Sequence, residues 1–346
     1  MNGLAKYCSG FVLFCSGLVA CNTERAPRQV EPAFYYWKSV WHLDAFEEQR
    51  LKELQVSTLY LKCFDVDWNP ATSQAIPVAK LQQTGYHLPA GITVIPVVFI
   101  TNECLARMDT GRIEPLAAAI STLVQQLYAS LGLPDSCKEL QIDCDWTTGT
   151  REKYFTLLRS IRNHVQLPIS ATIRLHQVKF TASSGIPPAD RGLLMCYNMG
   201  NLKNPAVTNS IIDPKELNRY TEKLAGYPLP LDIALPLFEW KVLFRKNEYQ
   251  GLVKELPDSL LSNAITTKEH NRYTFLKDTL LAGYAFFKGD QLRCEESSYP
   301  VVLATAQLVS RRLKNTRLRV SLYHLDSLLL KKFPLHELEN IYHSLR

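Results

Sequence analysis

The chain has 346 residues, 21% of them charged, and a formal net charge of +6. Its Lys and Arg residues are scattered, which argues against a nucleic-acid partner. Six cysteines follow residue 21 with no CxxC or His–Cys spacing, which argues against a zinc site. Because Cys63, Cys144 and Cys196 lie within apolar runs, we expect these three to be buried free thiols.

The first twenty residues have the three parts of a cleavable signal peptide. Lys6 gives the positive start, an apolar run follows, and Leu18-Val19-Ala20-Cys21 supplies the small residues at the cut. This tetrapeptide resembles the bacterial lipobox, which implies diacylglycerol on the thiol of Cys21. We therefore expect a polar tether over residues 21–31 and a lipid-anchored protein of the cell envelope, on the periplasmic face or the outer-membrane surface. An ordinary signal peptide cut nearby is the alternative.

Short β-rich runs alternate with amphipathic stretches through residues 32–346, which predicts a parallel sheet with helices between its strands. Eight such units close into a (β/α)8 TIM barrel of the α/β class, and we expect one domain. No glycine-rich phosphate turn follows the first strand, which favours the barrel over an open doubly wound sheet. No cofactor is predicted. The predicted strands are Ala33–Val40, Thr58–Phe64, Ile92–Ile100, Glu139–Asp143, Ile169–Leu175, Gly192–Tyr197, Asp232–Phe238 and Leu318–Tyr323. The predicted helices include Ala45–Leu54, Ile113–Leu131 and Thr150–Val165.

The stretch between the seventh and eighth predicted strands is too long for a simple connection, and we interpret it as an insertion. It is predicted to contain a helix, a strand pair around Tyr273–Lys288 and a helix from Pro300. In an alternative assignment, Leu281–Lys288 is the eighth strand and the C-terminal segment is an appendage.

Acidic and aromatic side chains recur where the predicted strands end, which is the end that carries the active site in TIM barrels. Carboxyl groups supply the acid, base or nucleophile at a glycosidic bond, and aromatic faces stack on sugar rings. The pattern therefore predicts a glycoside hydrolase with a carbohydrate substrate. The catalytic candidates are Asp143, Asp145 and Glu239, and the substrate-binding candidates are Trp37, Asp65, Asp67, Trp68, Trp146, Asn198, Trp240 and His324.

Asp143 and Asp145 stand two residues apart on one strand, so their side chains point to the same side. Their mutual repulsion should raise the pKa of at least one carboxyl. For either residue taken alone, capping of the following helix or binding of a loop backbone is the alternative role.

The runs Leu140-Gln141-Ile142-Asp143-Cys144-Asp145 and Met195-Cys196-Tyr197-Asn198 resemble the fourth- and sixth-strand motifs of family 18 chitinases, roughly DxxDxDxE and MxYD. The resemblance implies a substrate groove over the strand ends and adds Tyr197 to the catalytic candidates. Thr147 stands where those enzymes have their catalytic glutamate, and Asn198 where an Asp is usual. The chain as a whole is still more similar to uncharacterised lipoproteins of Bacteroides-type bacteria, which implies a glycoside-hydrolase-like barrel of open substrate.

Glu239 is a candidate because many retaining glycosidases of this fold place one carboxyl after the fourth strand and another after the seventh. The alternative is an ion pair with Lys241, Arg245 or Lys246. If the chitinase-like acid is missing, the barrel instead binds glycan without turnover, or serves as a structural protein of the envelope.

Other candidates carry less weight. His42 and His176 also lie near strand ends, where a lone His is more often structural than catalytic. The acids at positions 65, 67, 143 and 145 lack a known cation-loop signature, so no metal is predicted. The oligomeric state is left open.

Overall fold

The computed structural model describes residues 28–133, 136–254 and 256–346. The predicted signal peptide, the lipidation site Cys21 and the tether up to residue 27 lie outside the described residues. Within those ranges, no helix is long and apolar enough to cross a membrane.

The strands alternate with helices through most of the chain. In chain order they are β1 (Gln29–Tyr36), β2 (Thr58–Asn69), β3 (Gln74–Val78), β4 (Thr93–Ile100), β5 (Leu140–Cys144), β6 (Ile169–Arg174), β7 (Arg191–Met195), β8 (Leu231–Pro236), β9 (Glu239–Arg245), β10 (Glu248–Val253), β11 (Thr266–Glu269), β12 (Arg272–Phe275), β13 (Thr279–Leu281), β14 (Tyr284–Phe286), β15 (Gln291–Glu296) and β16 (Arg317–Tyr323).

Eight parallel strands form a closed barrel in the order β1, β2, β4, β5, β6, β7, β8, β16, and β16 pairs back with β1. The predicted (β/α)8 TIM barrel and its eight strands are confirmed. Strand β1 begins at Gln29, not at Ala33, and residues 29–31 pair with Arg317–Arg319. The predicted tether extends to residue 31, but residues 29–31 pair with β16 and belong to the first barrel strand.

The helices lie between the barrel strands and after the last one. They are α1 (Ala45–Glu53), α2 (Asn102–Arg107), α3 (Ile113–Ser130), α4 (Arg151–Val165), α5 (Leu175–Lys179), α6 (Thr181–Ser184), α7 (Pro214–Tyr220), α8 (Tyr299–Arg312), α9 (Ser327–Leu330) and α10 (Leu335–His343). Asp44 begins α1 with a capping box to Glu47, which satisfies backbone donors of the first turn. In α3 and α4 the buried residues recur at three- and four-residue spacing against the barrel.

Strand β2 runs to Asn69, five residues beyond its predicted end, and pairs with the antiparallel strand β3. This β2–β3 hairpin therefore extends past the rim of the barrel. Asp67 and Trp68 lie on this extension and therefore outside the barrel interior.

The insertion between β8 and β16 is confirmed, but it is richer in strands than predicted. Its antiparallel sheet has the order β10, β9, β15, β12, β11, and the hairpin β13–β14 packs on it. Phe275 and Phe286 stack in its separate core with ring centroids 4.2 Å apart. The helix predicted in its first part is wrong, because residues 239–253 form β9 and β10. The alternative eighth strand at Leu281–Lys288 is also wrong, since these residues belong to the hairpin and the turn after it.

Candidate active site

A cavity of about 390 Å³ opens at the carboxyl ends of the barrel strands. Barrel strands or the residues directly after them supply most of its walls, and the insertion closes one side through Leu252 and Lys254. The lining residues are Trp37, Phe99, Asp143, Asp145, Arg174, Met195, Tyr197, Asn198, Phe238, Trp240, Leu252, Lys254, Tyr323 and His324.

Asp143 is the most deeply buried acid of the cavity, and its carboxylate Oδ1 accepts a hydrogen bond of 2.6 Å from Oγ1 of Thr172. Burial, followed by repulsion from Asp145, raises the pKa of Asp143 from 3.8 to about 7. The prediction of a raised pKa in this pair agrees with the geometry. Asp143 can therefore hold a proton near neutral pH.

Asp145 lies at the mouth of β5 and forms an ion pair with Arg174, the last residue of β6. Nη1 of Arg174 donates to Oδ2 of Asp145 at 2.7 Å, and Nη2 donates to the carbonyl of Asn198 at 3.2 Å. One guanidinium therefore joins the ends of three consecutive barrel strands. The charge of Asp145 is balanced before any ligand enters.

Three polar atoms of the cavity are buried and accept or donate no hydrogen bond within the described part of the chain. They are Oδ1 of Asp145, Oδ1 of Asn198 and Nδ1 of His324. Asn198 holds a left-handed backbone with φ of 54°, a conformation that Asn tolerates better than most residues. Burial lowers the pKa of His324, so its ring stays neutral and Nδ1 can accept or donate. Buried polar atoms without partners are rare in folded proteins, and the three residues that carry these atoms all line this cavity.

Aromatic rings form the apolar part of the wall. Tyr323 lies at the centre, with ring centroids 5.3 Å from Tyr197, 5.6 Å from Trp37 and 5.7 Å from Phe238. Trp240 extends this wall from the insertion, 5.3 Å from Phe238. The cavity therefore combines flat apolar surfaces with unsatisfied polar atoms.

Glu239 is not part of this cavity. Its carboxylate forms an ion pair of 2.5 Å with Lys332 and lines a separate cavity of about 400 Å³ on the insertion. The expected partners are engaged elsewhere: Lys241 pairs with Asp258 and Arg245 with Asp290. The predicted convergence of Asp145 and Glu239 fails because the barrel strand ends at Pro236 and Glu239 already begins β9.

Four predicted substrate-binding residues do not line this cavity. Asp65 pairs with Lys62 at 3.0 Å, and Asp67 accepts a hydrogen bond from Thr101 at 2.8 Å. Trp68 lines a cleft between the β2–β3 hairpin and α3. Trp146 is buried, stacks on Tyr154 at 5.0 Å and donates from Nε1 to the carbonyl of Ser184 at 2.9 Å. Trp146 is therefore a core residue.

The remaining candidates behave as structural groups. His42 packs edge-on against Tyr86, and His176 is outside the cavity. Thr147 is exposed at the start of the β5–α4 loop, where its N–H donates to Oγ1 of Thr150. Cys63, Cys144 and Cys196 are buried free thiols, as predicted. Among the described residues, no group of three His, Cys, Asp or Glu is placed to share a metal ion.

Seven of the residues predicted from the sequence line the cavity: Trp37, Asp143, Asp145, Tyr197, Asn198, Trp240 and His324. Arg174 also lines it and was not predicted. Arg174 ends β6 and is the last residue but one of the predicted strand Ile169–Leu175, so the rule that located the acids also points to it. Leu252 and Lys254 carry no such signal, because the insertion brings them back to the barrel through tertiary structure.

Solved structures that are similar to this chain are family 18 chitinases and related glycoside hydrolases with the TIM-barrel fold. The spore cortex-lytic enzyme SleL of Bacillus megaterium QM B1551 has a TM-score of 0.54 and 11% identity, over 91% of this chain and 74% of the enzyme. SleL of Bacillus cereus has a TM-score of 0.51 and 14% identity, over 92% and 75%. The C-terminal domain of a putative chitinase from Desulfitobacterium hafniense DCB-2 has a TM-score of 0.52 and 12% identity, over 92% and 100%. No protein-family model and no curated protein matches the sequence. At these identities the likeness establishes a glycoside-hydrolase-like fold.

Proposed function

We propose that this chain binds an oligosaccharide in the barrel cavity without hydrolysing it. The observation that carries the proposal is the set of three unpartnered polar atoms on Asp145, Asn198 and His324. A ligand with several hydroxyl groups satisfies all three at once, because a hydroxyl both donates and accepts. Leaving such atoms unpaired costs free energy that ligand binding recovers.

The aromatic wall supports a sugar over other polyols. Pyranose rings have an apolar face of C–H groups that packs on flat aromatic surfaces such as Trp37, Trp240 and Tyr323. Two structures of a Cycas revoluta class V chitinase, with TM-scores of 0.50 and 0.51, hold (GlcNAc)4 and (GlcNAc)3. Oligomers of N-acetylglucosamine are therefore the first probes to try.

Binding without turnover follows from the state of the carboxyl groups. Glycoside hydrolysis needs a carboxylic acid beside the scissile bond, together with a second carboxyl group or, in substrate-assisted enzymes such as family 18, a group of the substrate itself. Asp145 is neutralised by Arg174, Glu239 lies in another cavity, and Thr147 stands at the position of the chitinase acid. The arrangement favours holding a saccharide over cleaving it.

Hydrolysis is the second candidate function, and one observation favours it. The pKa of Asp143, raised to about 7, is suited to donating a proton at neutral pH. In that case Asp143 and Asp145 act together at the same strand end, and Arg174 releases Asp145 as substrate enters.

We further propose that the protein is a Bacteroides-type envelope lipoprotein, anchored through Cys21. Six residues separate Cys21 from Arg28, so the anchor lies within about 25 Å of the barrel. Since β1 begins at Gln29, the tether joins the barrel at its amino-terminal end, and the cavity lies at the opposite end. The Cys21→Ser protein should lose fatty-acid labelling and leave the membrane fraction. If it stays there and still takes up the label, the anchor is wrong.

Titration calorimetry together with product analysis tests the binding proposal. The panel contains β-1,4-linked oligomers of N-acetylglucosamine and of mannose, and purified peptidoglycan fragments, each with wild type and Asp145→Asn. We expect binding of at least one class, no released product, and weaker binding by the variant. Product formation that the variant abolishes supports hydrolysis instead. If no class binds, both candidate functions fail.

A further inference from the structure

Glu295 of β15 lies opposite Trp240 of β9 in the antiparallel register of the insertion sheet. Its side chain is fully buried, and Oε2 accepts a hydrogen bond of 2.8 Å from Nε1 of Trp240. The same oxygen accepts from N and Oγ of Ser210 at 2.7 and 2.6 Å. One carboxylate therefore holds both the cavity-lining indole and the loop that follows β7.

Arg293 completes this arrangement from two residues away. Its Nε donates to Oε1 of Glu295, and its terminal nitrogens donate to the carbonyls of Leu202, Asn204 and Val207. These carbonyls belong to the loop that follows β7 and includes Asn198. The insertion sheet therefore fastens the loop that carries one of the unpartnered cavity atoms.

A buried ion pair of this kind costs desolvation energy, and apolar residues of similar volume often stabilise a fold equally well. Stability alone therefore gives little reason for Arg293 and Glu295. Their hydrogen bonds do, however, fix the orientation of Trp240 and the path of the loop. Fixed side chains bind a rigid ring more tightly, since less conformational entropy is lost on binding.

We propose that Glu295 is a positioning residue of the saccharide site. It holds the indole of Trp240 so that its ring forms the insertion side of the cavity, against the apolar face of a pyranose. This inference rests on the proposed saccharide binding. Under this proposal the insertion contributes directly to the saccharide site, although it has its own hydrophobic core.

The first test needs no ligand. In protein labelled with 5-fluorotryptophan, the Trp240 resonance is assigned by its loss in Trp240→Phe. We expect Glu295→Gln to shift or broaden that resonance, because an amide places a donor where the carboxylate accepts from several N–H and O–H groups. Glu296→Gln, an exposed neighbour on the same strand, is the matched control and should leave the resonance in place. An unchanged Trp240 resonance in Glu295→Gln overturns the proposal whatever the protein binds.

The second test measures binding of the N-acetylglucosamine tetramer. Glu295→Gln should weaken it about tenfold, as expected for losing an aligned aromatic contact. In the Trp240→Ala background the same substitution should add less than about twofold, because coupled residues are not additive. Equal losses in both backgrounds overturn the proposal. Should Glu295→Gln fail to fold, Glu295→Asp keeps the charge, withdraws it from the indole and takes its place in both tests. A moved resonance with no binding of any saccharide leaves the positioning role intact and overturns the proposed function.

Discussion

Arg174 and Asp145 form an ion pair at the mouth of the barrel cavity. Nη1 of Arg174 lies 2.7 Å from Oδ2 of Asp145, while Oδ1 of the same carboxylate is buried and has no partner among the described residues. One oxygen of Asp145 is therefore committed to Arg174. In the proposed site, the other oxygen accepts a hydrogen bond from a ligand hydroxyl.

The pKa of Asp143 should respond in opposite directions to the loss of Arg174 and the loss of Asp145. Arg174→Gln removes a cation that favours the charged carboxylate and should raise the pKa of Asp143 above about 7. Asp145→Asn removes a like charge and should lower it. Titration of the Asp143 carboxyl by carbon-13 NMR measures both. Identical titration curves in all three proteins are incompatible with the site described above.

Protein stability should fall with rising pH because of Asp143. The pKa of this carboxyl is about 7 in the folded protein and has the ordinary Asp value of 3.8 in the unfolded chain, so between these values the unfolded chain loses a proton that the folded chain keeps. The destabilisation grows as pH rises from about 4 to 7 and is complete above pH 7, where it amounts to about 4 kcal/mol.

Asp143→Asn, which stays neutral, should match wild type near pH 4 and be the more stable protein at pH 8. Urea denaturation at both pH values measures the difference, with the exposed Asp109→Asn as a control. A pH-independent difference between Asp143→Asn and wild type excludes the raised pKa.

The barrel was predictable because its strands have a strong and recognisable hydrophobic pattern. Thr93–Ile100 is almost continuously apolar, as a strand buried on both faces must be. The placement of Asp143 and Asp145 in one cavity follows from the same regularity, since side chains two apart on a strand share a side. The prediction that Trp146 binds substrate was wrong because Trp146 directly follows Asp145, so its side chain points to the opposite side and packs on Tyr154.

The unpartnered side chain of Asn198 should contribute to binding and not to folding. Asn198→Gly removes the side chain but tolerates the backbone φ of 54°, so no strain is introduced. We expect binding of the best oligosaccharide of the panel to weaken about tenfold, the loss typical of one hydrogen bond to a buried acceptor. Calorimetry gives the affinity and thermal unfolding gives the stability. Unchanged affinity with unchanged stability removes Asn198 from the site.

Substitution of Trp146 should reduce stability, whereas substitution of Trp37 should reduce oligosaccharide binding. Trp146→Ala opens a hole in the core and loses the hydrogen bond to Ser184, so it should destabilise the protein by about 3 to 5 kcal/mol. Trp37→Ala removes a cavity wall and should weaken oligosaccharide binding roughly three- to tenfold. Denaturation and calorimetry on both variants measure this contrast. If Trp146→Ala weakens binding and Trp37→Ala reduces stability, the ligand lies against Trp146 and away from the cavity.

Other parts of the site could not be read from the sequence, because they depend on tertiary contacts. Glu239 follows the seventh barrel strand closely, yet the chain turns into the insertion two residues after that strand ends. Its partner Lys332 lies beyond the last barrel strand, so no local charge pattern indicates the pair. Trp240 was assigned correctly, but its buried anchor Glu295 is fifty-five positions further along the chain.

The most direct test of saccharide binding is a crystal structure of the wild-type protein with the tightest-binding oligosaccharide of the panel. The proposal predicts an intact saccharide in the barrel cavity, with a pyranose face against Trp37 or Trp240 and hydroxyl groups on Oδ1 of Asp145, Oδ1 of Asn198 and Nδ1 of His324. A cleaved saccharide in that cavity contradicts binding without hydrolysis. A saccharide bound elsewhere, such as the cleft at Trp68, contradicts the assignment of the site itself.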